Sequence, residues 1–243
     1  MSRKTRASQI NNYGNAPEPF HKTQLTKIKT FIKSVENINV RSCILYDDIS
    51  DNLLSLQSEN ISFHKYSDLY RQDHCDNRFY LYRDFLEQTN VENIFLTDCN
   101  DVKFNHDPFQ VFSSKYDLYV GSEYVEVGWL SNKLEEINRT DVNWKIPMWS
   151  DYINGVFTRY NMGIIGGNKS NICKFLTHII DYMEQVSVDI GANTPAGILT
   201  LLENFNRKRI FTGMPLHNHF RMPIEEDQKL HNNTRNKCYI VHK

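Results

Sequence analysis

Two carboxylates, Asp98 and Asp101, follow the short apolar run Ile94-Phe95-Leu96. A run like that, entered from a helix and left through polar residues, reads as a buried strand of a parallel sheet. In open α/β sheets, ligands bind outside the carboxyl ends of strands. Two carboxylates in that position suit a hard divalent cation, whose other ligands are often substrate phosphates. The same residues could instead cap a helix or close an Asx-turn. Asn100 lies between them, so either Asp98 with Asp101 or Asp98 with Asn100 could supply the pair. Two arginines, Arg78 and Arg83, precede the strand, and an Arg fork binds carboxylate or phosphate. Helical spacing keeps them off one face. Arg78 is expected to point inward, and Arg83 to serve as a surface ion-pair partner, with Glu87 in reach. The pair His217 and His219 has no third ligand nearby and is weak evidence for a separate metal.

Helices alternating with short apolar strands must position these residues. Apolar residues at Leu25, Ile28, Phe31, Ile32 and Val35 give helical spacing over 21–36. Strands are expected at 40–46 and 61–66, with a short helix over 51–58 between them. A helix over 76–88 leads into the central strand. Pro108 opens a further helical turn, and 117–123 is another strand. The segment 124–159 holds all three tryptophans, Trp129, Trp144 and Trp149. It shows little periodicity and reads either as a binding loop or lid, or as aromatic cover for the core. Residues 160–167 form a glycine-rich strand-to-turn segment, whose glycines permit close backbone approach or positive φ. The clearest helix runs over 171–186, with Ile172, Phe175, Leu176, Ile179, Ile180 and Met183 on one face. Thr194-Pro195 opens another helix, and strands are expected at 209–212 and 238–241. This alternation argues for a single α/β domain with a mostly parallel central sheet flanked by helices, preceded by a flexible arm over 1–20.

Composition narrows the functions available. A net charge of −1 supplies no basic field for a nucleic-acid backbone, so no nucleic-acid partner is expected. Five scattered cysteines without a CxxC pair disfavour a zinc site or disulfide framework, and reduced thiols point to a cytoplasmic location. No stretch is long and apolar enough for a membrane span, and the basic N-terminus lacks the apolar core of a secretory signal. Neither GxGxxG nor GxxxxGK[ST] is present.

Several segments in order resemble the nucleotide-sugar glycosyltransferases of the GT-A fold, a Rossmann-like family. Phe79-Tyr-Leu-Tyr-Arg-Asp-Phe-Leu86 followed by Ile94-Phe-Leu-Thr-Asp-Cys-Asn-Asp-Val102 is similar to an Arg-bearing helix before a strand ending in D-x-D. Here the motif is D-x-x-D. Asn161-Met-Gly163 resembles the Asn-Ala-Gly segment of the galactosyltransferase-like and glycogenin-like members, with Met162 in place of a small residue. Asp189 and Asn193 look like that group's Asp…Asn pair, and Ile240-Val-His-Lys243 looks like its terminal strand. The resemblance spans roughly residues 20–243. The family's usual first strand is hard to find before His21, and Ser8–Tyr13 is the only candidate.

The resemblance implies Mn²⁺ or Mg²⁺ on Asp98, Asp101 and His242, with Asp98 alternatively on ribose hydroxyls. It implies a nucleotide-sugar donor, UDP-sugar favoured, contacted by Arg78, Asn193, Gly163 and Lys243. The acceptor would be a glycan or other hydroxyl compound, and transfer would retain configuration. Asn161 would bind a donor-sugar hydroxyl, and Asp189 would lie near the anomeric carbon. Were the reaction inverting, Asp151, Asp189 or Glu123 could act as base. The competing classes are a nucleotidyltransferase, disfavoured by the absence of a basic Gly-rich loop, and a non-catalytic nucleotide or carbohydrate reader.

Overall fold

The computed structural model describes residues 17–46, 51–71, 73–123, 127–140, 142–146, 149–154, 159–186, 191–217, 220 and 237–242. The first element is helix α1, Pro17–Asn37. It takes in four residues that composition assigns to the N-terminal arm; residues 1–16 lie outside the described residues. Strand β1 (Ser42–Tyr46), helix α2 (Asp51–Leu54) and strand β2 (Ile61–Lys65) follow, and the two strands pair in parallel. Helix α3, His74–Glu87, starts where the Asp73 carboxylate accepts from the backbone N–H groups of Cys75 and Asp76. Such a cap satisfies donors that the first helical turn leaves unpaired.

The next strands are β3 (Asn93–Thr97), β4 (Val102–Phe104), β5 (Leu118–Ser122) and β6 (Tyr160–Asn168). Helix α4 (Val127–Asn138) and the short α5 (Trp149–Ile153) lie between β5 and β6. Helices α6 (Lys169–Gln185) and α7 (Asn193–Asn204) follow, then β7 (Ile210–Thr212) and β8 (Ile240–His242). The largest sheet has four strands in the order β3-β6-β5-β7, and β4 pairs with β8 in a separate ladder.

The architecture is mixed α/β, and its sheet is mixed too. Strand β6 runs antiparallel to both β3 and β5, whereas β5 and β7 are parallel. The expectation of parallel neighbours for the central strand therefore does not hold at β3–β6. An apolar run such as Ile94-Phe95-Leu96 records packing on both faces of a strand, and records neither the direction of its neighbour nor its place in the sheet, where β3 stands at the end of the four-strand order among the described residues.

Residues 160–167 make no turn. They belong to one nine-residue strand whose first eight residues are buried. Its glycines serve close approach: a Cβ at Gly166 would lie 2.2 Å from the Phe95 ring. Residues 124–159 also contain more order than their composition shows. Leu130, Leu134 and Ile137 are the buried face of α4. Trp144 is buried and donates its indole N–H to Gln185 Oε1 at 3.1 Å, whereas Trp129 is exposed.

Successive residues of a strand point to opposite faces, and the core divides accordingly. On one face Phe79, Phe175, Ile179 and Leu201 pack with Ile94, Leu96, Leu118, Val120 and Ile165. On the other, Phe31, Ile32 and Val35 of α1 pack with Ile44, Ile61, Phe104, Tyr119, Ile164 and Ile240. All five cysteines are free thiols. Among the described residues no helix is long and apolar enough to cross a membrane.

Candidate metal centre

The geometry of the site follows from one antiparallel register. Strand β3 ends at Thr97; the chain turns through Asp98–Asp101 and enters β4. Strand β8 pairs with β4 so that Val102 faces His242. Asp101, one residue earlier, is thereby brought beside the histidine ring. Asp101 Oδ1 lies 3.6 Å from His242 Nε2, and one ligand atom from each of Asp98, Asp101 and His242 lies within 4.8 Å of the others. His242 is 2% exposed, and its ring stacks on Phe220 with centroids 4.1 Å apart. Asp101 Oδ1 is buried without a hydrogen-bond partner. A buried acceptor left unpaired costs about 1–3 kcal/mol, which a cation there would relieve.

Gly163 forms the floor of this cluster. The backbone N–H of Asp98 donates to Gly163 O at 3.1 Å, which sets β3 against β6 at this point. A Cβ on Gly163 would meet His242 Cε1 at 2.5 Å, Asp98 Oδ2 at 2.8 Å and Asn161 Oδ1 at 2.9 Å. His242 and Asp98 can lie this close to β6 because residue 163 has no Cβ.

Arg78, in the first turns of α3, pairs with Asp98 Oδ1 and donates to Met162 O at 3.3 Å. Oδ2 of Asp98 faces Gly163. Burial works against the Arg78 charge, but the charge and hydrogen bond of Asp98, with Tyr82 and Cys75 nearby, together lift the guanidinium pKa above its ordinary value. Arg83, half-buried, pairs instead with the adjacent Asp84 rather than with Glu87.

Asn161 is engaged within the protein at both ends of its amide. Its Nδ2 donates to Glu123 Oε2 at 2.6 Å, and its Oδ1 accepts from the Gly163 N–H at 2.8 Å. Asn193 sits at the start of α7, where its backbone N–H and its side-chain Nδ2 both donate to Asp76 Oδ1 at 2.8 Å. Asp151 lies on α5, and no contact among the described residues joins it to the cluster. His217 is fully buried and its Nε2 accepts from the Ser122 N–H at 2.7 Å. Asp189, Lys243 and His219 lie outside the described residues.

Residue types alone did not single out Asp76. It is 0% exposed and accepts from Ala192 N, Asn193 N and Asn193 Nδ2. Its only local signal was a place two residues before Arg78. Nor did sequence spacing reveal a cavity of about 490 Å³ that opens beside Arg78 and Asp98. No protein-family model matches the chain, and no curated protein matches it.

Proposed function

We propose that the protein is a divalent-cation-dependent glycosyltransferase of the GT-A kind. It would move a sugar from a nucleoside-diphosphate donor, UDP-sugar favoured, to a hydroxyl of a glycan or other acceptor, with retention of configuration. One observation carries the reading: Asp98, Asp101 and His242, 144 positions apart at their extremes by numbering, each bring a ligand atom within 4.8 Å of the others, with His242 and Asp98 packed over a glycine. Two carboxylates and an imidazole suit Mn²⁺, and the carboxylates suit Mg²⁺. A divalent ion held by these residues would supply Lewis-acid stabilisation of the charge growing on a departing diphosphate, worth several kcal/mol.

The chain's own residues would do the rest. Arg78 holds one oxygen of Asp98 and leaves the other facing Gly163. Its charge also favours an anion nearby. Gly163 keeps the donor's approach free of side chain. The Glu123–Asn161 bond fixes the start of β6 beside it. Asp189 is assigned to the sugar and Lys243 to the β-phosphate. In transfer, the bond from the anomeric carbon to the β-phosphate oxygen breaks, its electron pair leaving on the diphosphate. The acceptor oxygen bonds to that carbon, and its proton passes to the leaving phosphate.

The test is UDP release from a set of UDP-sugars, with and without Mn²⁺, by the intact chain and by Asp101→Ala. Release that needs the metal and disappears in the variant is the expected result. Pyrophosphate release from a nucleoside triphosphate would assign a nucleotidyltransferase instead. Tight nucleotide binding without turnover on any acceptor would assign a reader.

A further inference from the structure

We propose that His217 is a positioning residue for His242. Its buried imidazole fastens the chain between β5 and β8, so that the Phe220 ring keeps the His242 ring over Gly163. The effect on a bound cation rests on the metal reading of the site; the placement of the ring does not.

Strand β7 ends at Thr212, opposite Val120, and β5 runs on to Ser122. Ser122 is 0% exposed, and a buried backbone group left without a partner costs about 1–3 kcal/mol. Past the end of β7, the chain that follows it supplies the partners. The Ser122 N–H donates to His217 Nε2 at 2.7 Å, and Ser122 O accepts from the Phe220 N–H at 2.9 Å. The Ser122 hydroxyl oxygen lies 3.2 Å from the same ring nitrogen. A side chain thereby does at Ser122 what a neighbouring strand does at Val120. Only an unprotonated ring nitrogen accepts a hydrogen bond, so the form that fits is the neutral ring with its proton on Nδ1.

On its other side the same stretch lies along β8. Tyr239 N donates to Pro215 O at 2.9 Å and Ile240 N to Leu216 O at 2.8 Å, and His217 forms a parallel bridge with Ile240. Ile240 stands two residues before His242. Phe220 forms a parallel bridge with Glu123, and its ring stacks on His242 at an interplanar angle of 22°.

These contacts close on themselves. Glu123, next to Ser122, accepts from Asn161 Nδ2, and Asn161 Oδ1 accepts from the Gly163 N–H. Gly163 faces His242 Cε1. Phe220 covers the His242 ring and returns to Ser122 through its own N–H. His217 fastens this circuit at Ser122. Removing its acceptor leaves the buried Ser122 N–H unpaired, which favours separation of the two stretches and draws Phe220 off the histidine. His217 is not a member of the ligand cluster, so it acts through His242 rather than on a cation.

Nuclear magnetic resonance on the intact, metal-free chain tests this. Stacking on Phe220 should place the His242 ring C–H protons upfield of their position in Phe220→Leu. His217→Leu keeps the bulk without the acceptor and should lose that displacement. His217→Gln, whose amide oxygen takes the place of Nε2, should keep it. In calorimetry, His217→Leu should weaken Mn²⁺ binding about tenfold or more, and His217→Gln should match the wild type. A displacement that survives in His217→Leu overturns the proposal, as does unchanged Mn²⁺ affinity in that variant. A wild type that binds no Mn²⁺ would sink the metal reading instead, and the ring shifts alone would then decide this proposal. Should His217→Leu not fold, the wild-type His217 ring decides. Long-range ¹H–¹⁵N spectra showing Nε2 unprotonated and Nδ1 protonated support the proposal, and a protonated Nε2 refutes it.

Discussion

At the scale of single residues, the site depends as much on an atom that is missing as on those present. Gly163 leaves room where a methyl group would lie within 2.5–2.9 Å of His242, Asp98 and Asn161. Gly163→Ala must therefore push at least one of them aside, and overpacking of this kind costs about 1–3 kcal/mol. Mn²⁺ affinity measured by isothermal titration calorimetry should fall about tenfold or more, the equivalent of 1.4 kcal/mol. Unchanged affinity would mean that the ligands do not share the space above Gly163.

At the scale of elements, α3 serves the site and the fold from adjacent turns. Arg78 holds Asp98, and two residues earlier Asp76 ties the start of α7 to the start of α3 through three N–H groups. Burial pushes the Asp76 pKa up, and the bonds from Ala192 and Asn193 pull it partly back. Asp76→Ala would leave those donors facing a buried space, a loss of about 1–3 kcal/mol. A lowered urea midpoint is the expected readout.

The pairing of β5 with β7 has its own clasp. Arg209 Nε and Nη2 donate to the two oxygens of Asp117, each at 2.7 Å. The Arg209 hydrogen bond holds the Asp117 pKa below its ordinary value. A depressed carboxylate pKa adds stability that is present above the unfolded value, near 3.8, and is lost as pH falls through the folded value. Arg209→Ala should remove that acid-side loss, and an NMR titration should place Asp117 closer to its ordinary pKa. A titration identical to wild type would show that the clasp does not form in solution.

At the scale of the whole molecule, the two core clusters lie on opposite faces of the sheet, and only one of them carries the terminal strand. Phe175 belongs to the cluster under α6, whereas Ile240 belongs to the cluster with α1 and sits two residues before His242. Both are 0% exposed. Phe175→Ala should cost about 3–5 kcal/mol and Ile240→Ala about 2–5 kcal/mol in chemical unfolding. Their effects on metal should differ: Ile240→Ala should also weaken Mn²⁺ binding by the folded protein, and Phe175→Ala should not. Equal effects on affinity would mean that β8 does not position the histidine.

Residue order alone determined much of this molecule. The spacing of Ile172, Phe175, Leu176, Ile179 and Ile180 sufficed for α6, because burying a helix stripe demands that period. The polar exit of Ile94–Leu96 sufficed to mark Asp98 and Asp101 as residues beyond a strand end. Tertiary structure decided what local pattern cannot carry. Strand direction was one such matter, since β6 runs against β3 and β5 although all three are apolar. The three-residue strand β4 was another, being too short to show a period. Asp101 and His242 meet only through the β4–β8 register. Asp76 and Asn193, 117 residues apart, meet only where two helix ends are packed together. A contact between distant residues is set by which strands and helices become neighbours, and that choice is settled by burial across the whole chain.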